Sequence, residues 1–390
     1  MYLTNDYPVP SERMGLLWAL SGVSDLVIVE FGPEGTTRYL LESLKEFGHE
    51  AQANFYTTTM NEDVVVFGNY QRLNQVLIEI DQRHQPEVII VLDSSVAAVI
   101  GADLDGICHE IKPHIKAKLI TINGGGLRND WTKGIETALR LLGELAHPNL
   151  PKLRQFNLLG CCADEANHLA ESDGIEAMMT THFGMALNCN LSGKTSVASC
   201  QKLGQAAVNL VLRQEALALA DDLKQRFEIP YVVGRPYGLA GTRTWLEKIE
   251  RATGLTADYS ADHLELTALK IAIDQAIKQS PIRAVVLSGN DDPVRGLADF
   301  FRTELKLEVY FLKSSWSARP DQFTFLEPLA YQELCQRREV LVLADGLQIR
   351  NLPDTKRIQI AHPNLAGLTT EQPSLMGFHG AAYLLNKLNN

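Results

Sequence analysis

At 390 residues the chain is long enough for two to four domains at roughly 100–200 residues each, which excludes a single small module. Hydrophobic residues make up 45% and charged residues 21%, an ordinary globular composition that excludes a disordered or collagen-like chain. The 36 Lys and Arg against 47 Asp and Glu leave a formal charge of −11, which argues against a nucleic-acid binder, since that needs a basic face.

Read from the start, residues 1–12 carry Asp6, Glu12 and two prolines ahead of any apolar run, so no secretory leader is expected. Short β-branched runs then alternate with longer helical patterns to the end of the chain, the signature of βα units and parallel sheets. The first block predicts strands at 26–31, 51–56, 88–92 and 118–122 and a helix near 133–145, before two prolines in His147-Pro148-Asn149-Leu150-Pro151 mark a linker. The second predicts strands at 155–159, 174–180, 207–212 and 229–233 and a long helix from Thr242, closing near Ser280-Pro281. The third predicts strands at 283–287, 307–312, 339–343 and 357–361 and a terminal helix at 377–387. The expected fold is α/β, with three Rossmann-like domains over residues 1–150, 151–280 and 281–390 around a central cleft.

No apolar stretch approaches the ~20 residues of a membrane span, because Asp93 and Asp103 interrupt the longest ones. Six scattered cysteines (Cys108, Cys161, Cys162, Cys189, Cys200, Cys335) fit neither a disulfide scaffold nor a CxxC zinc site, so a soluble cytoplasmic protein is expected.

Ligands of open parallel sheets bind beyond the carboxyl ends of strands. The segments there include Gly32–Thr36, Asp93-Ser94-Ser95, Gly124-Gly125-Gly126, Gly160-Cys161-Cys162, residues 234–242, residues 289–292 and Asp345-Gly346. The glycine triplet lacks the spacing of a phosphate loop. Arg235, Arg243, Asn290, Asp291, Asp292, Asp345 and His379 fall on segments expected to face the cleft, where arginines near a helix start suit an anionic ligand. Cys161, Cys162, Glu165 and His168 offer metal-type donors, Glu165 and His168 being read as one helical face. Against this, free cysteine is a common core residue, and no metal is assigned to them.

Five motifs in register resemble the nitrogenase component 1 superfamily, which includes protochlorophyllide reductase-like enzymes and cofactor-assembly scaffolds. Gly15 to Gly22 followed by Phe31-Gly32-Pro33-Glu34-Gly35 resembles the opening helix and HGPxGC turn. Thr57-Thr58-Thr59 with Glu62-Asp63-Val64-Val65-Val66-Phe67-Gly68 resembles TTxxxExDxVFG, and Ser95 to Asp103 resembles TCxxxxIGDD. Ile229-Pro230-Tyr231 through Pro236-Tyr237-Gly238-Leu239 and Thr242 resembles GIPxxxxxPxGxxxT. Pro373 to Leu385 resembles PxxGYRGAxxLL.

The resemblance implies an oxidoreductase subunit, a homodimer or a heteromer with a related chain, electrons from an ATP-dependent iron–sulfur reductase, and a reducible substrate in the cleft. It also places three cluster cysteines on Ser11, Thr36 and Ser95, and the two cofactor ligands of nitrogenase proper near Leu212 and Gly367. None is a thiol or an imidazole. One reading is that the hydroxyls keep cysteine's size after the cluster was lost. The other is that oxygen donors such as Glu12, Glu34 or Asp93 still meet a metal whose thiolates come from a partner, although hard oxygen suits iron–sulfur chemistry poorly. No cofactor is expected in the isolated chain. The alternative function is a non-redox binding protein or assembly scaffold for a tetrapyrrole, a metal–sulfur precursor or a small anion.

Overall fold

A computed structural model describes residues 8–46, 50–67, 70–337, 339–363 and 373–389, without the side chains of Thr36, Leu40, Glu46 and Phe67. Twelve strands among them form three four-stranded sheets. The first holds β1 (Val27–Phe31), β2 (Asn54–Thr57), β3 (Val88–Asp93) and β4 (Lys118–Ile122) in the order β2-β1-β3-β4. The second holds β5 (Gln155–Leu159), β6 (Ala186–Leu191), β7 (Val208–Val211) and β8 (Tyr231–Val233) in the order β6-β5-β7-β8. The third holds β9 (Ala284–Leu287), β10 (Glu308–Phe311), β11 (Val340–Asp345) and β12 (Arg357–Ala361) in the order β10-β9-β11-β12.

One topology is thus built three times, and the α/β class with Rossmann-like sheets holds. The central pairs β1–β3, β5–β7 and β9–β11 run parallel, which requires a crossover between strands and covers both faces of a sheet. All residues of β1, β3 and β11 are accordingly buried. Apolar residues dominate there because neither face meets water, Glu30 of β1 being the interior exception.

Contacts divide the chain into two compact units. Pro10–Ala146 with Leu191–Gln201 forms one, carrying the first sheet; His147–Asn190 with Lys202–Asn390 forms the other, carrying the second and third sheets. In the first unit, the helices Glu12–Ser21 and Trp131–Gly143 approach closely through Gly15 and Gly134. A Cβ on Gly15 would lie 1.9 Å from the Trp131 carbonyl oxygen, and one on Gly134 would lie 1.8 Å from that of Glu12.

One expected strand is wrong. Residues 174–180 lie in the helix His168–Phe183, and the strand that pairs beside β5 is β6. Ile175, Met178, Met179, His182 and Phe183 are buried at helical spacing. Gly174 packs against Ser374, whose Oγ would stand 2.8 Å from a Cβ there.

Candidate functional site

At the carboxyl end of the first sheet, the two described positions that match cluster ligands serve as ordinary helix-start residues. Ser11 caps the helix Glu12–Ser21, its hydroxyl accepting from Met14 N at 3.4 Å. Ser95 opens the helix Ser95–Val99 behind its cap Ser94, whose hydroxyl accepts from Ala97 N at 3.1 Å. Thr36 lies in the first turn of the helix Glu34–Glu46, and its side chain is outside the described residues.

Asp93 binds the glycine turn, accepting from Gly124 N at 2.9 Å and Gly125 N at 2.7 Å. Beside it a cavity of about 30 Å³ is lined by Glu12, Arg13, Asp93, Asn123 and Gly126 among others, enough for about one water. Hydroxyls at helix starts, one of them a cap, do not suit an iron–sulfur cluster, which is held by thiolates. Of the candidate oxygen ligands, Asp93 is committed to the turn and Glu12 Oε2 accepts from Asn129 Nδ2 at 3.1 Å, while Glu34 opens the helix Glu34–Glu46.

In the second unit the carboxyl ends of the two sheets meet through buried charge. Arg213, two residues beyond β7, donates through Nη1 and Nη2 to Asp164 at 2.8 and 3.1 Å and through Nε to Glu215 at 2.7 Å. Its side chain is 4% exposed and that of Asp164 0%. Glu215 also accepts from Arg319, whose backbone N–H donates to Asp291 at 2.8 Å, and Asn290 Nδ2 donates to Asp164 at 3.1 Å. Arg235, just beyond β8, donates to both oxygens of Glu165 at 2.5 and 2.7 Å and through Nε to the Leu212 carbonyl at 2.8 Å.

Burial alone would pull the Arg213 guanidinium down, but Asp164 and Glu215 hold it well above its ordinary value. Burial likewise pushes the Glu215 carboxyl up, and Arg213 and Arg319 more than reverse it, leaving it low. Asp291 ends the other way: burial lifts its carboxyl to about 6, with Arg319 opposing.

Beside this lattice is a cleft of about 530 Å³ between the helix Leu239–Thr253, from the second sheet's block, and the helix Asp291–Asp299, from the third's. Arg213, Arg235 and Tyr237 lie at it, with Lys248, Asp292, Arg295 and Glu304 among its other charged lining. Glu304 is already committed, accepting from Leu239, Ala240 and Gly241 N–H groups at 2.9, 3.0 and 3.3 Å.

The expected site residues therefore divide. Arg235 and Asp292 line the cleft, and Asn290 and Asp291 belong to the lattice behind it. Arg243 is exposed, over the Tyr259 ring. Asp345 caps the helix Gly346–Ile349 through Leu347 and Gln348 N–H groups. His379 is on an outer face, 89% exposed and 2.8 Å from Glu265, so it does not face this cleft. Asp164, Arg213, Glu215 and Arg319 were missed; Arg213 could have been found, because it directly follows an expected strand end.

Glu165 precedes the helix His168–Phe183 rather than sharing its face with His168, and it pairs with Arg235. Cys161 and Cys162 are buried beyond β5, and burial raises both thiols far above the ordinary range, which opposes the thiolate a metal needs. Among the described residues no group of three or more His, Cys, Asp and Glu is arranged to hold a metal ion. Leu212 is buried, and Gly367 lies outside the described residues.

Three parallel sheets of one topology, with polar residues gathered at their carboxyl ends, define a multi-sheet α/β protein of the Rossmann-like kind. The chain belongs to the nitrogenase component 1 type oxidoreductase family, which it matches over residues 11–390. It is 25% identical over 242 residues to the nitrogenase iron–molybdenum cofactor biosynthesis protein NifE of Clostridium pasteurianum, covering 60% of this chain and 52% of that one. It is 21% identical over 275 residues to the nitrogenase molybdenum–iron protein beta chain of Methanococcus maripaludis, covering 63% and 59%. The chain thus spans about half the length of the curated relatives it matches. A solved structure, nitrogenase Cp1 at pH 6.5, superposes with a TM-score of 0.75 at 16% identity, covering 99% of this chain and 93% of that one; that likeness supports the fold.

Proposed function

We propose that the chain is a metal-free subunit of a nitrogenase-like assembly. It pairs with a related component 1-like chain, works in the reducing cytoplasm that its six free cysteines suit, and offers a cleft for the substrate. Any cluster that accepts electrons from an ATP-dependent iron–sulfur reductase is then held by the partner's thiolates. The observation that carries this reading is the role of Ser11 and Ser95 as helix-start hydroxyls where the family pattern has cluster cysteines.

A second reading, a cofactor-assembly scaffold without redox chemistry of its own, is favoured by the likeness to cofactor biosynthesis proteins such as NifE. Both readings use the same fold and differ in where iron appears. The chain should be produced anaerobically, alone and with its genomic neighbours, and assayed for co-purifying chains, iron and visible absorption. The subunit reading expects a component 1-like partner that carries the iron. Iron–sulfur absorption from the isolated chain, or a complex in which no member holds iron, would overturn it.

A further inference from the structure

At the first sheet's carboxyl end the positions that the family resemblance gives to thiolates fall on Ser11, Thr36 and Ser95, and the segments that carry them are joined by other means. Glu30, in β1, is 1% exposed; a carboxylate buried to that degree needs a partner. Arg13 donates to its Oε1 through Nη2 at 2.5 Å, and Thr37 Oγ1 donates to its Oε2. Arg13 stands two residues after Ser11, and Thr37 directly follows Thr36. The buried pair therefore ties together the starts of the helices Glu12–Ser21 and Glu34–Glu46, where two of the three cluster positions fall.

The third position is tied by the glycine turn. A Cβ on Gly125 would lie 2.9 Å from Ser95 Cα, and one on Gly126 would lie 2.3 Å from Arg13 Cβ. Gly125 and Gly126 both have positive φ, 58° and 69°, so the turn packs against Ser95 and Arg13 in a form that glycine supplies readily. Asp93 fixes it from β3 through two backbone N–H groups.

We infer that Arg13, Glu30 and Thr37, with the turn of Gly124 to Gly126, form a protein-only clamp that holds the three segments a thiolate-bound cluster would otherwise hold. The inference rests on the metal-free reading above. Its consequence is that this end of the sheet is ordered without iron, and that iron supply does not control the folding of this unit.

The test is hydrogen exchange on the full chain, alone and in whatever complex it forms. In Glu30→Ala, the unpaired Arg13 guanidinium should loosen the helices Glu12–Ser21 and Glu34–Glu46. Their amides should exchange about 100-fold faster, the expected scale for breaking a buried ion pair, while those of β9 and β11 stay unchanged. The double variant Arg13→Met with Glu30→Leu should recover most of the protection, since an apolar pair of similar volume replaces the charges. If Glu30→Ala does not fold, Glu30→Gln should show a smaller acceleration in the same helices. A strong iron chelator should leave the unmodified chain's exchange unaltered.

Wild-type exchange in those helices of the Glu30 variants, or protection that collapses on chelation with loss of stoichiometric iron, would overturn the clamp. Absence of a component 1-like partner would defeat the proposed function and leave this result standing, so the two failures are distinguishable.

Discussion

Replacing Arg213 with Met removes the guanidinium that joins Asp164 to Glu215 while keeping much of the side chain's length. Three hydrogen bonds of 2.7 to 3.1 Å are lost, at a site where the three side chains are 4% exposed or less. Breaking a buried pair by removing one partner typically costs about 3–5 kcal/mol, because the remaining charge has no compensation. Here each carboxylate keeps another donor, Asn290 for Asp164 and Arg319 for Glu215, so the lower figure, about 3 kcal/mol, applies. In a unit of this size each kcal/mol lowers the melting temperature by about 2–4 °C, which predicts a fall of about 6–12 °C. Arg213→Lys should lie between, since an ammonium cannot contact both oxygens of Asp164 and Glu215 with one rigid fork. Calorimetric melting at neutral pH reads both variants. A melting temperature for Arg213→Met within about 2 °C of the wild type, roughly the scale of a neutral surface change, would refute the reasoning.

Asp291 gives a pH dependence. Its folded-state value of about 6 lies above the unfolded one, so the native state binds the proton more tightly. The resulting stability is fully present below about pH 4 and is lost as pH rises through about 6. Discounted for solvent screening, this is about 1–2 kcal/mol. Urea titrations from pH 4 to 8 should show that component disappear in Asp291→Asn, and an unchanged slope would count against it. Gly15→Ala should cost about 1–3 kcal/mol or more, because its Cβ would meet the Trp131 backbone at 1.9 Å and the helices must part; a thermal melt equal to wild type would contradict this. Among the cysteines, half-buried Cys335 should react with a thiol reagent under native conditions, slowly because burial raises its thiol. Buried Cys161 and Cys162 should react only on unfolding, and modification of either in the native chain would show the burial to be wrong.

The sheets were legible where burial on both faces forces a continuous apolar run, as at Val88 to Leu92 and Val340 to Leu343. β6 was not, because Asn188 and Asn190 interrupt its pattern. Their amide nitrogens are bonded internally, Asn188 Nδ2 donating to Asn157 Oδ1 at 2.7 Å and Asn190 Nδ2 to Ser172 Oγ at 2.6 Å, so polar residues sit in a place that alternation rules assign to loops. The strand-end rule led to Arg235, Asn290 and Asp291. It did not lead to their surroundings, since Arg213 is 49 residues from Asp164, and Arg319 is 104 from Glu215. Pairing at that separation is set by tertiary packing and leaves no local mark in the chain.

Those distant pairings change what the arginines can do. Arg235 reads in sequence as an anion ligand, yet its Nη2 already holds both oxygens of Glu165 within 2.7 Å, its Nε donates to the Leu212 carbonyl at 2.8 Å, and its side chain is 3% exposed. An incoming anion that took Nη2 would have to displace a carboxylate that is held at hydrogen-bond distance in a dry site, and would leave Glu165 buried and unpaired. Arg213 is committed in the same way. The cleft's deep guanidinium groups therefore act on shape rather than on ligand charge: they fix the floor on which a substrate would rest. Among the described residues, exposed Lys248 and Arg295, which donates to the amide oxygen of Gln322, are the lining cations with no carboxylate bonded to them. Attraction for an anionic ligand would then come from that rim, where it is screened by salt, rather than from the buried charge beneath it.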